Sequence, residues 1–408
     1  MSEELKKTII SWVKEVLSDQ GFTEIQVDFP EYDPSGGYGS EMVMVNVTGE
    51  RNKSKEVLSL IVKRSIDDIL DTNSLNFRVF YDNETNFYSK IVPYLRQFAM
   101  DKGSKPFDSI PYCYGTIQRE NRHVIVMENL KKKGYKVHEI ENPQDLHHTK
   151  LILKAYGEWH ALCFALRDQQ PKKFEEFSNT NSSEKVLEAK GFSYMITTIE
   201  KELQFLMDIY KTRGITLVAD KLELLKNNFG TMIHDFMLGK NESYLVIRHG
   251  DCWNNNYLFH YDDDTSHPDK VAIIDWQVAC VAPAMLDIVH FLYYCCSRNE
   301  LDNLDELLHF YHDCLSEKLK ELGSDPEKCF PRDICLSNFK KYAPFGIAGL
   351  PMVGKIRSKL EIAEAYNIAN VERDKSFNSI FDGKLKDPEE YFKNINDVLE
   401  FSIDRKFI

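Results

Sequence analysis

Three oxygen-bearing side chains occur in an order and spacing that suit phosphoryl transfer. Asp251 lies in the stretch 249–256, the amide of Asn256 follows five residues later, and Asp275 comes at the end of an apolar, strand-like run. Phosphoryl transfer needs a carboxylate that orients the acceptor hydroxyl, and oxygen ligands for Mg²⁺. Asp251 suits the first task, while Asn256 and Asp275 offer the hard oxygen donors that Mg²⁺ prefers. These residues therefore predict transfer of a phosphoryl group from ATP to a hydroxyl.

Other interpretations of the same residues stay open. Taken singly, His249-Gly250-Asp251 is also typical of a turn, and Asp275 of a cap at the end of a strand. Neither Asn256 nor Asp275 is a thiol or an imidazole, which makes a zinc site a poor fit. A metal-dependent phosphohydrolase would need more His and Asp ligands near His249, and the sequence offers only His260 and residues 262–264, in a hairpin-like loop.

A glycine-rich stretch between two strand-like runs is a candidate loop for phosphate contacts. It covers residues 32–40, where the backbone at Gly37, Gly39 and Ser40 could approach phosphate oxygens. The same composition is typical of an ordinary hairpin turn, so both interpretations stay open. No Gly-Lys-Ser/Thr sequence follows the glycines, which argues against a P-loop fold.

Lys63 and Glu84 form a second candidate pair. Lys63 directly follows the apolar run 58–62, and Glu84 lies on the apolar face of a helix predicted over about residues 83–100. A carboxylate on a buried face needs a partner, because burying an isolated charge is costly. We therefore predict an ion pair that holds the Lys63 ammonium against the ATP phosphates. Alternatively, Lys63 extends to solvent and Glu84 favours the dipole at the start of its helix.

Composition and charge argue against several classes of partner. The 408 residues are 43% hydrophobic and 12% aromatic, enough to bury a substantial core. The net charge of -13 argues against nucleic acid and anionic membrane surfaces. The nine cysteines are scattered and include no CxxC pair, which favours a reducing, cytoplasmic location. No signal peptide is predicted, and charged residues and Pro283 interrupt the apolar region 271–296, so no membrane span is predicted.

The chain divides by pattern into two predicted lobes. Residues 1–130, rich in strand-like runs, form a small nucleotide-binding lobe, and residues 131–408 form a larger helical lobe for catalysis and substrate binding. In the second lobe helices are predicted near residues 147–168, 184–211, 217–238, 284–322 and 386–402. The polar run 178–184 is predicted to be a surface loop. The segment 342–354, rich in glycine and proline, is predicted to be a loop that packs on the core or lines a pocket for an apolar substrate.

Motifs in both lobes carry a resemblance to a known family. In the second lobe the string His-Gly-Asp-x-Trp-x-x-Asn-x-x-Phe runs from His249 to Phe259, and Asp275-Trp276-Gln277 follows. In the first lobe Glu84, followed by Phe87-Tyr88, and the hinge-like Met127-Glu128-Asn129-Leu130 match less specifically. Over roughly residues 35–320 the chain resembles the ecdysteroid kinase-like family, which belongs to the choline kinase-like and aminoglycoside phosphotransferase-like group. The resemblance implies an α+β, protein-kinase-like two-lobed fold with a small N-terminal antiparallel sheet and a larger helical lobe.

The resemblance also implies an activity and a set of roles. It implies a kinase that uses ATP and Mg²⁺ and acts on a hydroxyl of a small, often lipophilic molecule such as an ecdysteroid. By position, Asp251 would be the catalytic base, Asn256 and Asp275 the metal ligands, and Lys63 a phosphate contact supported by Glu84. A nucleic acid or membrane partner is not implied. A catalytically silent protein of this fold that only binds ATP or a small molecule stays an alternative, although such a protein would usually lack one of Lys63, Asp251, Asn256 or Asp275, and all four are present here.

Further residues follow from the same resemblance. Glu128 and Leu130, in the hinge, would bind the nucleotide together with the glycine-rich loop, although Asn129 stands where the family usually has an acidic residue. Asp287 resembles the acidic residue that braces the catalytic loop. Between Asp275 and His290 the chain has no Ser, Thr or Tyr and no room for an activation segment, so the acceptor is predicted to be a small molecule and not a protein.

Overall fold

The computed structural model describes residues 1–30, 40–65, 78–119, 122–139, 142–239, 242–262, 267–358 and 385–408. Its strands are β1 (Thr23–Asp28), β2 (Ser40–Arg51), β3 (Ser54–Ser65), β4 (Cys113–Arg119), β5 (Arg122–Glu128), β6 (Tyr135–Val137), β7 (Leu245–Arg248), β8 (Tyr257–Tyr261), β9 (Pro268–Ile273) and β10 (Cys280–Pro283). The glycines at positions 37 and 39 lie outside the described residues.

The helices of the first part are α1 (Glu3–Asp19), α2 (Arg78–Asn86) and α3 (Val92–Asp101), and a π-helical turn (Phe87–Ile91) joins the last two. The later helices are α4 (Leu146–Gln169), α5 (Pro171–Thr180), α6 (Ser183–Glu188), α7 (Lys190–Thr212), α8 (Thr216–Leu238), α9 (Met285–Cys295), α10 (Arg298–Leu301), α11 (Leu304–Glu321), α12 (Pro326–Cys329), α13 (Ile334–Ser358) and α14 (Pro388–Asp404). Within these helices no stretch is both long and apolar enough to cross a membrane.

The first five strands form one antiparallel sheet in the order β1-β2-β3-β5-β4. Side chains alternate between its faces, so Val62 of β3 joins the apolar core that α1 covers, whereas Ile61 contacts the larger core on the other side. Lys63 shares the face of Ile61 and is paired with Met42 on β2 and Ile125 on β5. Because both faces are buried, the register is strongly specified, and it fixes Lys63 on the face opposite α1.

Two smaller sheets position the predicted catalytic residues. β7 pairs with β10, and β8 lies between β6 and β9 in a three-stranded antiparallel sheet. Tyr257 at the start of β8 pairs with Ile273 at the end of β9, so Asn256 and Asp275 flank the same end of one hairpin. Helix α9 is entirely buried, more than half of α4 is buried, and both helices contribute to the largest apolar core.

The predicted α+β class, with a small antiparallel sheet near the N-terminus and a larger helical part, is confirmed. The boundary at residue 130 stays a prediction. The single helix expected over residues 284–322 is wrong, because the chain breaks it into α9, α10 and α11. Ser297 begins α10 with a reciprocal capping box to Glu300, which stops the preceding helix and starts a new one.

The segment 342–354 is not a loop but the middle of helix α13, which contains Pro344 and Pro351. Proline removes an N–H donor and disfavours a helix interior, yet burial against α7 and α9 outweighs that preference here. The glycines of the segment allow close packing. A Cβ added to Gly349 would lie 1.8 Å from the Tyr294 hydroxyl oxygen, so α13 can approach α9 only with glycine at this position.

We expect Gly349→Ala to destabilise the fold by about 1–3 kcal/mol, because the added methyl group overpacks the contact with Tyr294. The loss should shrink in a Tyr294→Ala background, and a double-mutant cycle in urea measures this coupling. The control is Gly230→Ala in α8, whose added Cβ would meet its nearest neighbour at an ordinary 3.6 Å. Equal losses at the two glycines would contradict the packing argument.

Candidate active site

The loop after β7 presents Asp251 through a tight turn at Gly250. Gly250 has a φ of +86°, and a Cβ there would lie 2.9 Å from the carbonyl oxygen of Val278. Both the backbone angle and the close approach require glycine. His249 is buried, its Nε2 donates to the Ile274 carbonyl (2.9 Å), and its Nδ1 accepts from the Asp251 N–H (3.2 Å). His249 is therefore a structural residue that joins this loop to the strand end before Asp275.

Asp287 on α9 binds the backbone of the same loop. Its carboxylate accepts hydrogen bonds from the backbone N–H groups of His249 (2.7 Å) and Gly250 (3.0 Å) and from Arg248 Nε (3.0 Å). Burial favours its neutral form, but Arg248 and then His160 outweigh burial and hold the pKa of Asp287 well below its usual range. The fully buried Asp287 is thus ionised and fixes the backbone on which Asp251 is mounted.

Asn256 links the two predicted halves of the site. Its Nδ2 donates to the backbone oxygen (2.8 Å) and to Oδ2 (2.9 Å) of Asp251. Its backbone oxygen accepts from Ile274 N (3.0 Å), directly before Asp275. Since the amide nitrogen is bound to Asp251, the amide oxygen is the atom that Asn256 can offer to a cation.

Asp275 meets Lys63 and Glu84, which come from distant parts of the chain. Asp275 has a φ of +64°, a left-handed conformation that aspartate adopts more readily than most residues. Lys63 Nζ lies 2.5 Å from Asp275 Oδ1 and 2.7 Å from Glu84 Oε2. Trp276 stacks on Phe87 with ring centroids 4.1 Å apart, which ties the π-helical turn that follows α2 to the turn after β9. The ion pair expected between Lys63 and Glu84 is present, and Glu84 lies in the second turn of α2, away from the helix start.

One ammonium group serves two carboxylates in this cluster. Burial opposes the charge on Lys63, but Asp275 and Glu84 together raise its pKa. Burial and the neighbouring charge of Asp275 raise the pKa of Glu84 to about 7, although Lys63 acts in the opposite direction. The cluster therefore carries excess negative charge, which suits a site for a cation.

The Asp251 carboxyl group also has a raised pKa. Burial first, and then the charge of Asp275, raise the pKa of its carboxyl group to about 7 from an ordinary value of 3.8. The folded state then holds a proton that the unfolded chain releases between these pH values, so this group lowers stability progressively as pH rises from about 4 to about 7.

We expect Asp251→Asn to stabilise the protein free of metal and nucleotide above pH 7, by up to about 4 kcal/mol, and to have little effect at pH 4. The isosteric amide removes the titrating charge, and its oxygen can still accept from Asn256. Urea unfolding of wild type and variant at both pH values provides the measurement. A gain that does not change with pH would contradict the raised pKa.

The structure places the other predicted site residues as follows. Ser40 is buried at the start of β2, and Gly37 and Gly39 lie outside the described residues. Glu128 and Leu130 lie where the chain leaves β5, and Leu130 is buried. The Glu128 carboxylate accepts from Tyr112 N (2.8 Å) and pairs with Lys133, so its side chain is already engaged.

The sequence analysis missed two residues that support the candidate site. Arg248 pairs with Asp287, and its position between an apolar strand and His249 was the available signal. Asn181 was assigned to a surface loop over residues 178–184, but that prediction is wrong because the residue is fully buried. Its Nδ2 donates to the backbone oxygens of Asn83 and Ala279, both at 3.1 Å, which connects α2 with the turn after Asp275.

The donors at this site fit Mg²⁺ better than zinc. Hard oxygen ligands are present in the carboxylates of Asp251 and Asp275 and in the amide oxygen of Asn256. The cluster also carries excess negative charge. Both His249 nitrogens are bound to protein atoms, so His249 is not available as a ligand. A separate group of His260, Asp262 and Asp269 has ligand atoms within 4.8 Å of one another. It lies four residues along β8 from Asn256, about 13 Å away at the usual rise of a strand.

Comparison with known proteins identifies the family. The model of the ecdysteroid kinase-like family matches residues 34–324, well over half of the chain. No curated protein matches significantly. Among the solved structures that are similar are the following three, all with TM-scores below 0.5.

The first is a mutant of aminoglycoside 2'-phosphotransferase-IIIa with GDP (TM-score 0.41, 11% identity, 99% of this chain and 98% of that chain covered). The second is the wild-type form of that enzyme with GDP (TM-score 0.39, 12% identity, 90% and 100% covered). The third is a glucosamine kinase (TM-score 0.32, 10% identity, 87% and 95% covered). The family match shows that the chain belongs to the ecdysteroid kinase-like family, which confirms the predicted kinase-like fold and the class of small-molecule phosphotransferases acting on hydroxyl groups.

Proposed function

We propose that the protein transfers the γ-phosphate of ATP to a hydroxyl of a small, lipophilic molecule such as an ecdysteroid, with Mg²⁺ as the metal. One observation carries the proposal. Lys63, Glu84 and Asp275 meet within hydrogen-bond distance, and Asn256 joins this cluster to Asp251. Oxygen atoms suited to a cation, a fixed ammonium and a carboxylate thus lie close together, which supports phosphoryl transfer.

In this proposal Asn256 and Asp275 hold the metal, and Lys63, oriented by Glu84, binds the nucleotide phosphates. Bound Mg²⁺ would neutralise charge on the phosphates and align them for transfer. The backbone at Gly37, Gly39 and Ser40 and the hinge at Glu128 and Leu130 would complete the nucleotide site, between residues 1–130 and 131–408.

Asp251 is proposed to orient the acceptor hydroxyl and to receive its proton. Its Oδ2 is held by the Asn256 amide, and its backbone is fixed through Asp287, so the carboxylate is positioned before an acceptor arrives. The raised pKa of about 7 gives the carboxylate a higher proton affinity than an ordinary aspartate has.

Aromatic side chains near Asp251 support a lipophilic acceptor. Burial, and then the charge of Asp251, raise the pKa of Tyr294. The rings of His290 and Tyr294 lie 4.1 Å apart, and those of His290 and Phe345 lie 5.3 Å apart. These three side chains are buried, and we propose that an apolar ring system carrying a hydroxyl packs beside them.

A cytoplasmic location is proposed from the thiols. All nine cysteines are free. Proteins of oxidising compartments commonly pair their cysteines, so this pattern favours a reducing environment.

The test of the proposed function is acceptor-dependent consumption of ATP. The protein is incubated with ATP and Mg²⁺ and with a library of hydroxylated steroids, terpenoids and phenols, and products are examined by mass spectrometry. We expect a mass gain of one phosphate on at least one compound, which EDTA abolishes. Phosphoester hydrolysis without ATP, and no phosphorylated alcohol in the library, would contradict the proposal and favour a hydrolase.

A further inference from the structure

A cavity lies behind helix α2, on a different side of this helix from the Lys63–Glu84 pair. Its volume is about 580 Å³, within the range of small-molecule sites. Val79, Asn83, Asn86 and Lys90, at successive spacings of four, three and four residues, line its wall on one face of α2 and the π-helical turn. Glu84 follows Asn83 by one residue, about 100° around the helix, and points to Lys63 instead.

This face of α2 presents polar groups without partners. Asn83 is 1% exposed and Asn86 is 7% exposed, yet within the described residues Asn83 Nδ2 and Asn86 Oδ1 make no hydrogen bond. A buried amide group without a partner costs about 1–3 kcal/mol, so the wall of the cavity is poised for a ligand that supplies one. The free groups are a donor at Asn83 and an acceptor at Asn86.

Charges of both signs surround these amides. Lys90 is exposed at one end of the face, and no ion pair to it is found in the part of the chain that the structure describes. Across the cavity, α5 contributes Glu176, whose carboxylate accepts from the Lys173 ammonium in an exposed ion pair (2.8 Å). Lys185 also lines the cavity, but its ammonium already donates to the backbone oxygens of Asn179 (2.9 Å) and Thr180 (3.3 Å). The face of α2 and the π-helical turn thus offers a cation, an amide donor and an amide acceptor, and α5 offers a carboxylate held only by an exposed ion pair.

We propose that this cavity is a second binding site, which takes a small zwitterion of the amino-acid type. The ligand carboxylate would bind the Lys90 ammonium and the Asn83 amide N–H. The ligand ammonium would bind the Asn86 carbonyl and compete with Lys173 for Glu176, since an exposed ion pair contributes only about 0–1 kcal/mol. A doubly charged anion fits less well, because Asp82 and Glu176 also line the cavity. Opposed charges and a paired donor and acceptor match a molecule that carries both charges.

A ligand in this cavity could affect the candidate active site indirectly, through contacts of α2. The Asn83 backbone oxygen accepts from Asn181 Nδ2, which also donates to Ala279, four residues after Asp275. A ligand that moves α2 therefore moves Glu84 directly and the turn after Asp275 through Asn181. Any such effect on nucleotide affinity is reciprocal.

The experiment measures binding alone and needs neither nucleotide nor acceptor, so its result is independent of the proposed function. The common amino acids are titrated one at a time, at millimolar concentrations, into wild type, Lys90→Ala and Lys14→Ala, and Tm is followed by scanning fluorimetry. Hits are confirmed by calorimetry. Lys14 is an exposed helix lysine of α1, outside the cavity lining, and serves as the matched control. The amides of the hits, which lack the carboxylate, are tested beside them.

We expect at least one amino acid to raise Tm of wild type and Lys14→Ala saturably, and to bind Lys90→Ala at least about tenfold more weakly. Its amide should bind as weakly to the wild type. The proposal is overturned if no amino acid raises Tm, if Lys90→Ala responds as the wild type does, or if the amides bind as well as the parent amino acids.

Discussion

Asp251→Asn is expected to lower acceptor-dependent turnover by about 10²–10⁴-fold, because it removes the group proposed to take the acceptor proton. The amide keeps the shape of the side chain and its contact with Asn256. Nucleotide binding should therefore change little. Turnover is measured as phosphorylation of an acceptor found in the library, and nucleotide affinity is measured by calorimetry.

The companion variant Asp275→Asn separates the proposed role of metal ligand from the proposed role of base. It removes a proposed metal ligand, so the Mg²⁺ concentration that supports half-maximal binding of ATP should rise. The left-handed backbone at this position tolerates asparagine as well as aspartate, so the fold should be retained. Ordinary turnover in Asp251→Asn would overturn the assignment of the base, and unchanged Mg²⁺ dependence in Asp275→Asn would overturn the metal assignment.

Asp287→Ala is expected to cost about 3–5 kcal/mol of stability. It leaves the Arg248 guanidinium, which is 2% exposed, without its carboxylate, and it removes the acceptor of two backbone N–H groups in the catalytic loop. Burying an unpaired charge is among the few single changes with effects of this size. Urea unfolding gives the free energy.

The matched control is Asp305→Ala, which breaks another arginine–aspartate pair. Asp305 lies 2.5 Å from Arg405, but their side chains are 54% and 34% exposed. An exposed pair of this kind contributes about 0–1 kcal/mol. A similar loss in the two variants would show that burial does not set the strength of the Asp287 pair.

Local patterns predicted that three oxygen-bearing side chains lie close together, and the structure shows why these patterns were sufficient. Asp251 and Asn256 lie in one short loop, and Asp275 is brought beside them by a single hairpin between β8 and β9. The Lys63–Glu84 pair could be predicted although it is distant in sequence, since each residue lay on an apolar face and needed a partner of opposite charge. The glycine-rich loop stays a prediction.

Features that depend on tertiary packing were not predictable. In α13, glycine and proline indicated a loop, but contacts with Tyr293 and Tyr294 override that local preference. Asn181 looked like a surface residue because it lies in a polar run, and only the fold reveals that it is buried between α2 and the turn after β9. No pattern within a single window contains such a contact.

Two buried thiols, those of Cys252 and Cys295, can report when the loop that carries Asp251 separates from α9. Cys252 follows Asp251, and Cys295 donates to the Cys252 carbonyl. Both are fully buried, and burial raises the pKa of each thiol well above its ordinary value. Alkylating reagents, which attack thiolates, will therefore modify these two cysteines only when the catalytic loop and α9 separate. The rate of alkylation, measured by mass spectrometry, would report that separation without a cysteine having to be introduced.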